Sequence, residues 1–192
     1  MTTFAAGSKK LQQRFEQMES LRRALQRESS SASRLAKQAI FSLQRGDATQ
    51  AKTQLAEAEA QLKRAHLAIK KEPKLLADAS WRAALEEFCE AVLVDRAVHG
   101  KALFPLPELT EEPDIVLGAL SDLAGELVRL AVHSATEGDT KKVDEWHKLA
   151  EEVVVYLTSL DLTGSLRSKG DQARGHLRRL EDIRYEVSRR SA

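Results

Sequence analysis

Cysteine is nearly absent from this sequence: Cys89 stands alone among 192 residues. No intramolecular disulfide can form, and a zinc site built on a cysteine cluster is excluded. A lone thiol suits a reducing compartment. Proline and glycine are sparse, at 4 and 9 residues, which argues against collagen, proline-rich disorder and a turn-dense β-sandwich. No apolar run reaches the length of a membrane-spanning helix, because Asp, Glu or Arg interrupts each one within a few residues. The segment Met1–Lys10 lacks a secretory hydrophobic region. A soluble, cytoplasmic protein with no membrane partner is expected. GxGxxG, Walker A, HExxH and GxSxG motifs are all missing. Dinucleotide, P-loop, zincin and α/β-hydrolase chemistry therefore have no support.

What is present begins with charge. The formal net charge is only +1, yet it is segregated: residues 1–72 carry +7, residues 73–160 carry −9, and residues 161–192 carry +3. An acidic middle between two basic ends makes a neutral total informative.

The apolar period is helical almost throughout. Leu11, Phe15, Met18, Leu21 and Leu25 step by three or four, and Leu35, Ala39, Ile40 and Leu43 continue the stripe. The Ser29–Ser33 run reads as a weak spot or kink within one long helix. Gly46-Asp47 reads as a stop followed by an N-cap, with Gln50 at capping-box spacing. A second helix is expected from about Ala48 to Lys71. Pro73 ends it and opens a third, which runs through Trp81 to about Val98. The stretch Gly100–Pro113 holds three of the four prolines and is the longest expected loop. A fourth helix is expected from Pro113 to about Thr136 and a fifth to about Ser159, the latter after a second stop-and-cap at Gly138-Asp139. A last helix follows Gly164. The triplet Val153-Val154-Val155 sits in a helical frame and is kept helical. The predicted fold is an all-α bundle of six to seven helices, as a single domain over residues 1–192.

The third and fourth helices carry carboxylates where a plain amphipathic helix would not. Glu87 and Glu90 lie three apart and share a face with Ala91, Val94 and Val98. Asp122 and Glu126 lie four apart on a helix that is apolar or small nearly all round. Two carboxylates one turn apart on a buried helix repel each other and lose hydration unless a cation or hydrogen bonds compensate. If the two helices pack side by side, Glu87, Glu90, Asp122 and Glu126 converge. An all-oxygen cluster of this kind suits Mg²⁺ or Mn²⁺. The competing reading is that Glu87 and Glu90 face water and pair with arginines while Asp122 is an ordinary polar position.

The stretch Leu117–Leu130, containing Asp122 and Glu126, resembles the signature helix of the translin superfamily, and His133–Asp139 is similar to its N-S-x-x-x-G-D turn. Trp81-Arg82 through Glu90-Ala91 resembles the helix that supplies the other acidic pair, and Leu166–Val187 resembles the C-terminal helix. The resemblance runs from about Arg27 to the end. It implies a seven-helix α/α bundle that assembles into a hollow, mostly octameric shell. The E-x-x-E and D-x-x-x-E pairs of the catalytic, translin-associated factor X type fall on Glu87 and Glu90, then on Asp122 and Glu126. Through this resemblance the chain is expected to be a prokaryotic homologue: a homo-oligomeric, Mg²⁺-dependent endoribonuclease acting on single-stranded RNA. The alternative is a translin-like oligomer that binds single-stranded RNA or DNA without catalysis.

Basic residues should hold the RNA backbone. Arg82 and Arg129 can border the acidic face by helical spacing, while Lys169, Arg174 and Arg178 lie on the last helix. Each is equally readable as a solvated charge. His133 is read as a satisfied polar histidine, Cys89 as a packing residue, and Trp81 and Trp146 as core or interface anchors. No RRM, KH or zinc-knuckle motif is present, so little base-specific readout is expected.

Overall fold

The computed structural model describes residues 4–110 and 112–190; both ends of the expected 1–192 domain lie outside them. Six α-helices account for most of the chain: α1 (Phe4–Gln44), α2 (Ala48–Lys71), α3 (Ala79–Val98), α4 (Pro113–Thr136), α5 (Thr140–Thr158) and α6 (Gly164–Arg190). Among the described residues there is no strand. The valine triplet is helical within α5, as its frame implied.

Local signals explain most boundaries. Gly46 and Gly138 adopt φ of +77° and +79°, a left-handed conformation that glycine takes without a Cβ penalty. The aspartates that follow them cap the next helices. Asp47 accepts the backbone N–H of Gln50, and Asp139 that of Lys142, both at 3.0 Å. Replacing Asp139 with Ala should cost about 1 kcal/mol. The check is a lower denaturant midpoint at unchanged slope.

The start of the third helix differs from expectation. Pro73–Ala77 forms a separate 3-10 turn, and α3 begins only at Ala79. The Asp78 carboxylate accepts the Ser80 N–H at 2.9 Å and restarts the helix there. The Ser29–Ser33 run does not interrupt α1. Ser29 and Ala32 are fully buried, and their small side chains sit in a tightly packed helix face.

Inter-helix contacts set the directions. Glu28 with Arg64 and Ser42 with Gln54 make α1 and α2 an antiparallel hairpin. Gln26 meets Asp78 while Lys37 meets Glu87, so α3 runs parallel to α1. Arg82 reaches Asp114, and Glu86 lies against Gly118, so α4 runs parallel to α3. Parallel neighbours need a connection that returns along the bundle, which explains the long segment between Val98 and Pro113. The tight Gly138 turn makes α5 antiparallel to α4, with the Trp146 indole donating to Ser134 at 3.1 Å. Lys169 meets Asp122 and His176 lies over Gly125, so α6 runs parallel to α4.

The core is rich in alanine, which lets helix axes approach closely. Trp81, Leu85, Leu93, Leu123 and Leu127 are among its large buried side chains. Helix α4 lies against α3, α5 and α6 and is the most buried segment, as its nearly continuous apolar surface required. No helix among the described residues is long and apolar enough to cross a membrane.

Candidate functional site

Helices α1, α3 and α4 enclose a cleft of about 370 Å³, and Glu87, Glu90 and Glu126 line it together with Lys37, Gln44 and Arg129. The carboxylates reach one cleft because α3 and α4 pack side by side and parallel. Asp122 adds its charge from the adjacent turn of α4, and Glu90 feels it strongly. Burial first, then repulsion from Asp122, Glu126 and Glu87, push the Glu90 carboxyl up to about 8. Glu126 is only 8% exposed. Burial raises its pKa as well, although Arg129 at 3.3 Å and a hydrogen bond donated by the Gln44 amide pull the other way.

Each remaining carboxylate already has a protein partner. Glu87 pairs with Lys37 at 3.0 Å. Asp122 and Glu86 share the ammonium of Lys169, which reaches between α3 and α4 from α6. Burial disfavours the charged lysine, but the bonds to Asp122 and Glu86 outweigh it and hold its pKa above the ordinary value. Among the described residues, no three His, Cys, Asp or Glu side chains are already arranged as metal ligands. The four expected residues thus form one electrostatic cluster whose oxygens are turned toward separate partners. The donor set nevertheless fits a hard divalent cation. It is all oxygen, and among the described residues Glu90 has no ion-pair partner.

The basic residues expected at an RNA surface separate into distinct settings. Arg129 stands at the rim of the cleft, two-thirds exposed. Lys169 lies in the carboxylate cluster. Arg82 lies more than one turn before Glu87 and clamps the first turn of α4 through Glu112, at 2.8 Å, and Asp114. It does not border the acidic face, because its side chain is committed to those two carboxylates. Arg174 pairs with Asp171 on the exposed side of α6. Arg178 is exposed on the same helix.

Three participants escape a reading of the sequence. Glu86 had one available signal, its four-residue spacing to Glu90, but such spacing is common on solvated helix faces. Its place depends on Gly118, where an added Cβ would stand 2.8 Å from the Glu86 carboxyl carbon. Lys37 and Gln44 come from α1, and nothing in their local sequence marks them. Cys89 is fully buried, and burial pushes its thiol up to about 12, so it acts as a packing residue and not as a nucleophile. Trp81 and Trp146 are core residues, and exposed His133 pairs with Glu137 at 3.3 Å.

A family model described as the Translin family matches residues 20–191. Among solved structures, that of apo-NeC3PO superposes with a TM-score of 0.85 at 20% identity, covering 93% of this chain and 96% of that one. The AfC3PO–duplex RNA complex gives 0.82 at 21% identity, with coverage of 94% and 95%. The crystal structure of AfC3PO gives 0.81 at 23% identity, with coverage of 94% and 96%. These likenesses show the same fold. No curated protein matches the sequence significantly.

Proposed function

The chain belongs to the translin family, and on that premise we propose that it is a Mg²⁺-dependent endoribonuclease that cleaves single-stranded RNA as a homo-oligomer. The observation that carries this reading is the convergence of Glu87, Glu90 and Glu126 on one cleft beside Asp122, with Glu90 buried among like charges. A stable fold keeps such a group only if packing around it is strong or if function needs it. The RNA bound by the structurally similar AfC3PO supports RNA as the ligand class.

In this reading Glu90, Asp122 and Glu126 would hold Mg²⁺ or Mn²⁺, and Glu87 would be a fourth ligand or the base that orients water. The ion would supply Lewis-acid polarisation of a phosphoryl oxygen and offset charge on the reacting phosphate. Gln44 and Arg129 hold Glu126 in place from either side. Arg129, at the rim, neutralises a phosphate as the strand enters. Lys169 keeps Asp122 and Glu86 from repelling each other and fixes α6 against the cluster. Self-assembly, for which the family suggests an octameric shell, is supported by apolar side chains left in the open. Phe4, Leu11 and Phe15 on α1, and Val155 and Tyr156 on α5, are all at least half exposed.

The test is incubation of end-labelled single-stranded RNA with the protein and Mg²⁺. Cleavage that stops on adding EDTA and returns with excess Mg²⁺ is expected. RNA that stays intact for hours at high protein concentration would remove the nuclease reading. RNA bound but uncut would leave the alternative, an RNA- or DNA-binding oligomer without catalysis. Light scattering reads the assembly state independently.

A further inference from the structure

The acidic cleft does not stand alone on its side of the bundle. Immediately beside it, a groove of about 660 Å³ runs along α1, with Gln54 of α2 on its other wall. Arg34, Lys37, Phe41 and Arg45 line it at helical steps of three and four, so they form one continuous stripe. The stripe is about 16 Å long at the α-helical rise. No acidic side chain lines this groove. Lys37 and Phe41 line both the groove and the cleft, so the two are continuous.

Phe41 is the unusual member. A large aromatic on a charged helix face is expected to turn inward, yet Phe41 is 58% exposed. The Arg45 guanidinium lies 4.8 Å from its ring centroid. An exposed aromatic face carrying a guanidinium, with cations on the groove side and the carboxylates confined to the adjoining cleft, has the composition of a stacking platform with phosphate contacts on either side.

We propose that this groove is the path by which a single RNA strand approaches the carboxylate cleft, with a base stacked on Phe41 and phosphates held by Arg34 and Arg45. The proposal rests on the nuclease reading above, and it assigns the strand-holding role to α1, whereas the basic residues singled out by the sequence lie on α3, α4 and α6. Charge complementarity favours a polyanion over an apolar partner. The exposed ring favours an unpaired base over a duplex, whose bases are already stacked. Lys37 has a place at the junction: it pairs with Glu87 in the cleft and faces the groove at the same time. It offsets repulsion where the phosphate backbone passes from the cationic groove to the acidic centre.

The experiment measures fluorescence anisotropy of a labelled single-stranded oligouridylate on the full chain in EDTA, so that binding is read without cleavage. The Arg34→Ala/Arg45→Ala variant should weaken binding about tenfold and lower the slope of log affinity against log salt by about 1–2. Phe41→Ala should weaken binding about tenfold, and Phe41→Trp should restore it. Lys141→Ala/Lys148→Ala, which removes the same charge from α5, should leave binding unchanged. Phe41, Arg45, Lys141 and Lys148 are exposed, and circular dichroism confirms folding of each variant. Wild-type binding with unaltered affinity in the α1 variants overturns this inference and leaves the nuclease reading standing. A shift of oligomeric state with unaltered affinity per subunit overturns it too and makes the groove a subunit contact. A wild-type protein that binds no RNA at low salt overturns both.

Discussion

Asp122→Asn should lower RNA cleavage about a thousandfold or more while RNA binding in EDTA is retained or becomes slightly tighter. The change keeps the shape of the side chain and removes one negative charge. Asp122 sits one turn from Glu126 on α4 and acts on Glu90 across the α3–α4 contact, so it is central to the charge that would hold a divalent ion. Several kcal/mol of transition-state stabilisation from such an ion corresponds to a rate factor of about a thousand or more. Lys169 keeps Glu86 as a partner in the variant, so the α6 contact is not lost with the charge. Binding should hold, because removing an anion cannot weaken attraction for a phosphate backbone. The measurement is single-turnover cleavage across a Mg²⁺ titration, with anisotropy in parallel. Cleavage within a few-fold of wild type at low Mg²⁺ would sink the assignment of Asp122 to the metal.

Without divalent ions, the protein should lose stability as pH rises from about 4.5 to beyond 8, and Glu90→Gln should remove most of that decline. The sign follows from linkage. The Glu90 carboxyl titrates at about 8 in the folded chain against an ordinary value of 4.5. Across that window the folded state binds more protons than the unfolded state, so unfolding becomes easier with each step in pH. The stability associated with protonated Glu90 is complete below the unfolded value and lost as pH passes through the folded one. Its size is on the order of a few kcal/mol, since each tenfold change in proton affinity is worth about 1.4 kcal/mol and relaxation of the cleft reduces the total. Glu126, raised in the same direction, adds to the decline. Thermal melts in EDTA between pH 5 and pH 9 give the curve. Mg²⁺ added at high pH should recover part of the loss in the wild type and less in Glu90→Gln. A flat wild-type profile would mean that Glu90 is solvated well enough to ionise normally.

Both predictions concern residues that the amino-acid sequence already marks, and the reason is local. Asp122 and Glu126 interrupt an otherwise apolar helix, an anomaly that the helical period alone exposes. The caps at Asp47 and Asp139 are equally local, because each involves one carboxylate and a backbone N–H three residues on. The third helix was less legible. Pro73 permits a helix start, but the competing Asp78-Ser80 cap lies only a few residues later, and the chain used the aspartate. The assignment of basic residues to an RNA surface was the least legible part. Arg82 and Arg174 are claimed by nearby carboxylates, and Lys169 is drawn into the cluster itself.

By itself the sequence determined that the chain is all helix, where most of those helices begin and end, and which carboxylates lie together on α3 and on α4. It also separated a basic beginning from an acidic middle. Only the tertiary structure decided that α1, α3 and α4 run parallel, that Glu87 meets Lys37 while Asp122 meets Lys169, and that Gln44 reaches Glu126 from 82 residues away. Helical periodicity states which side chains share a face. It carries no information about which face meets which, because that choice is made by packing among several helices at once.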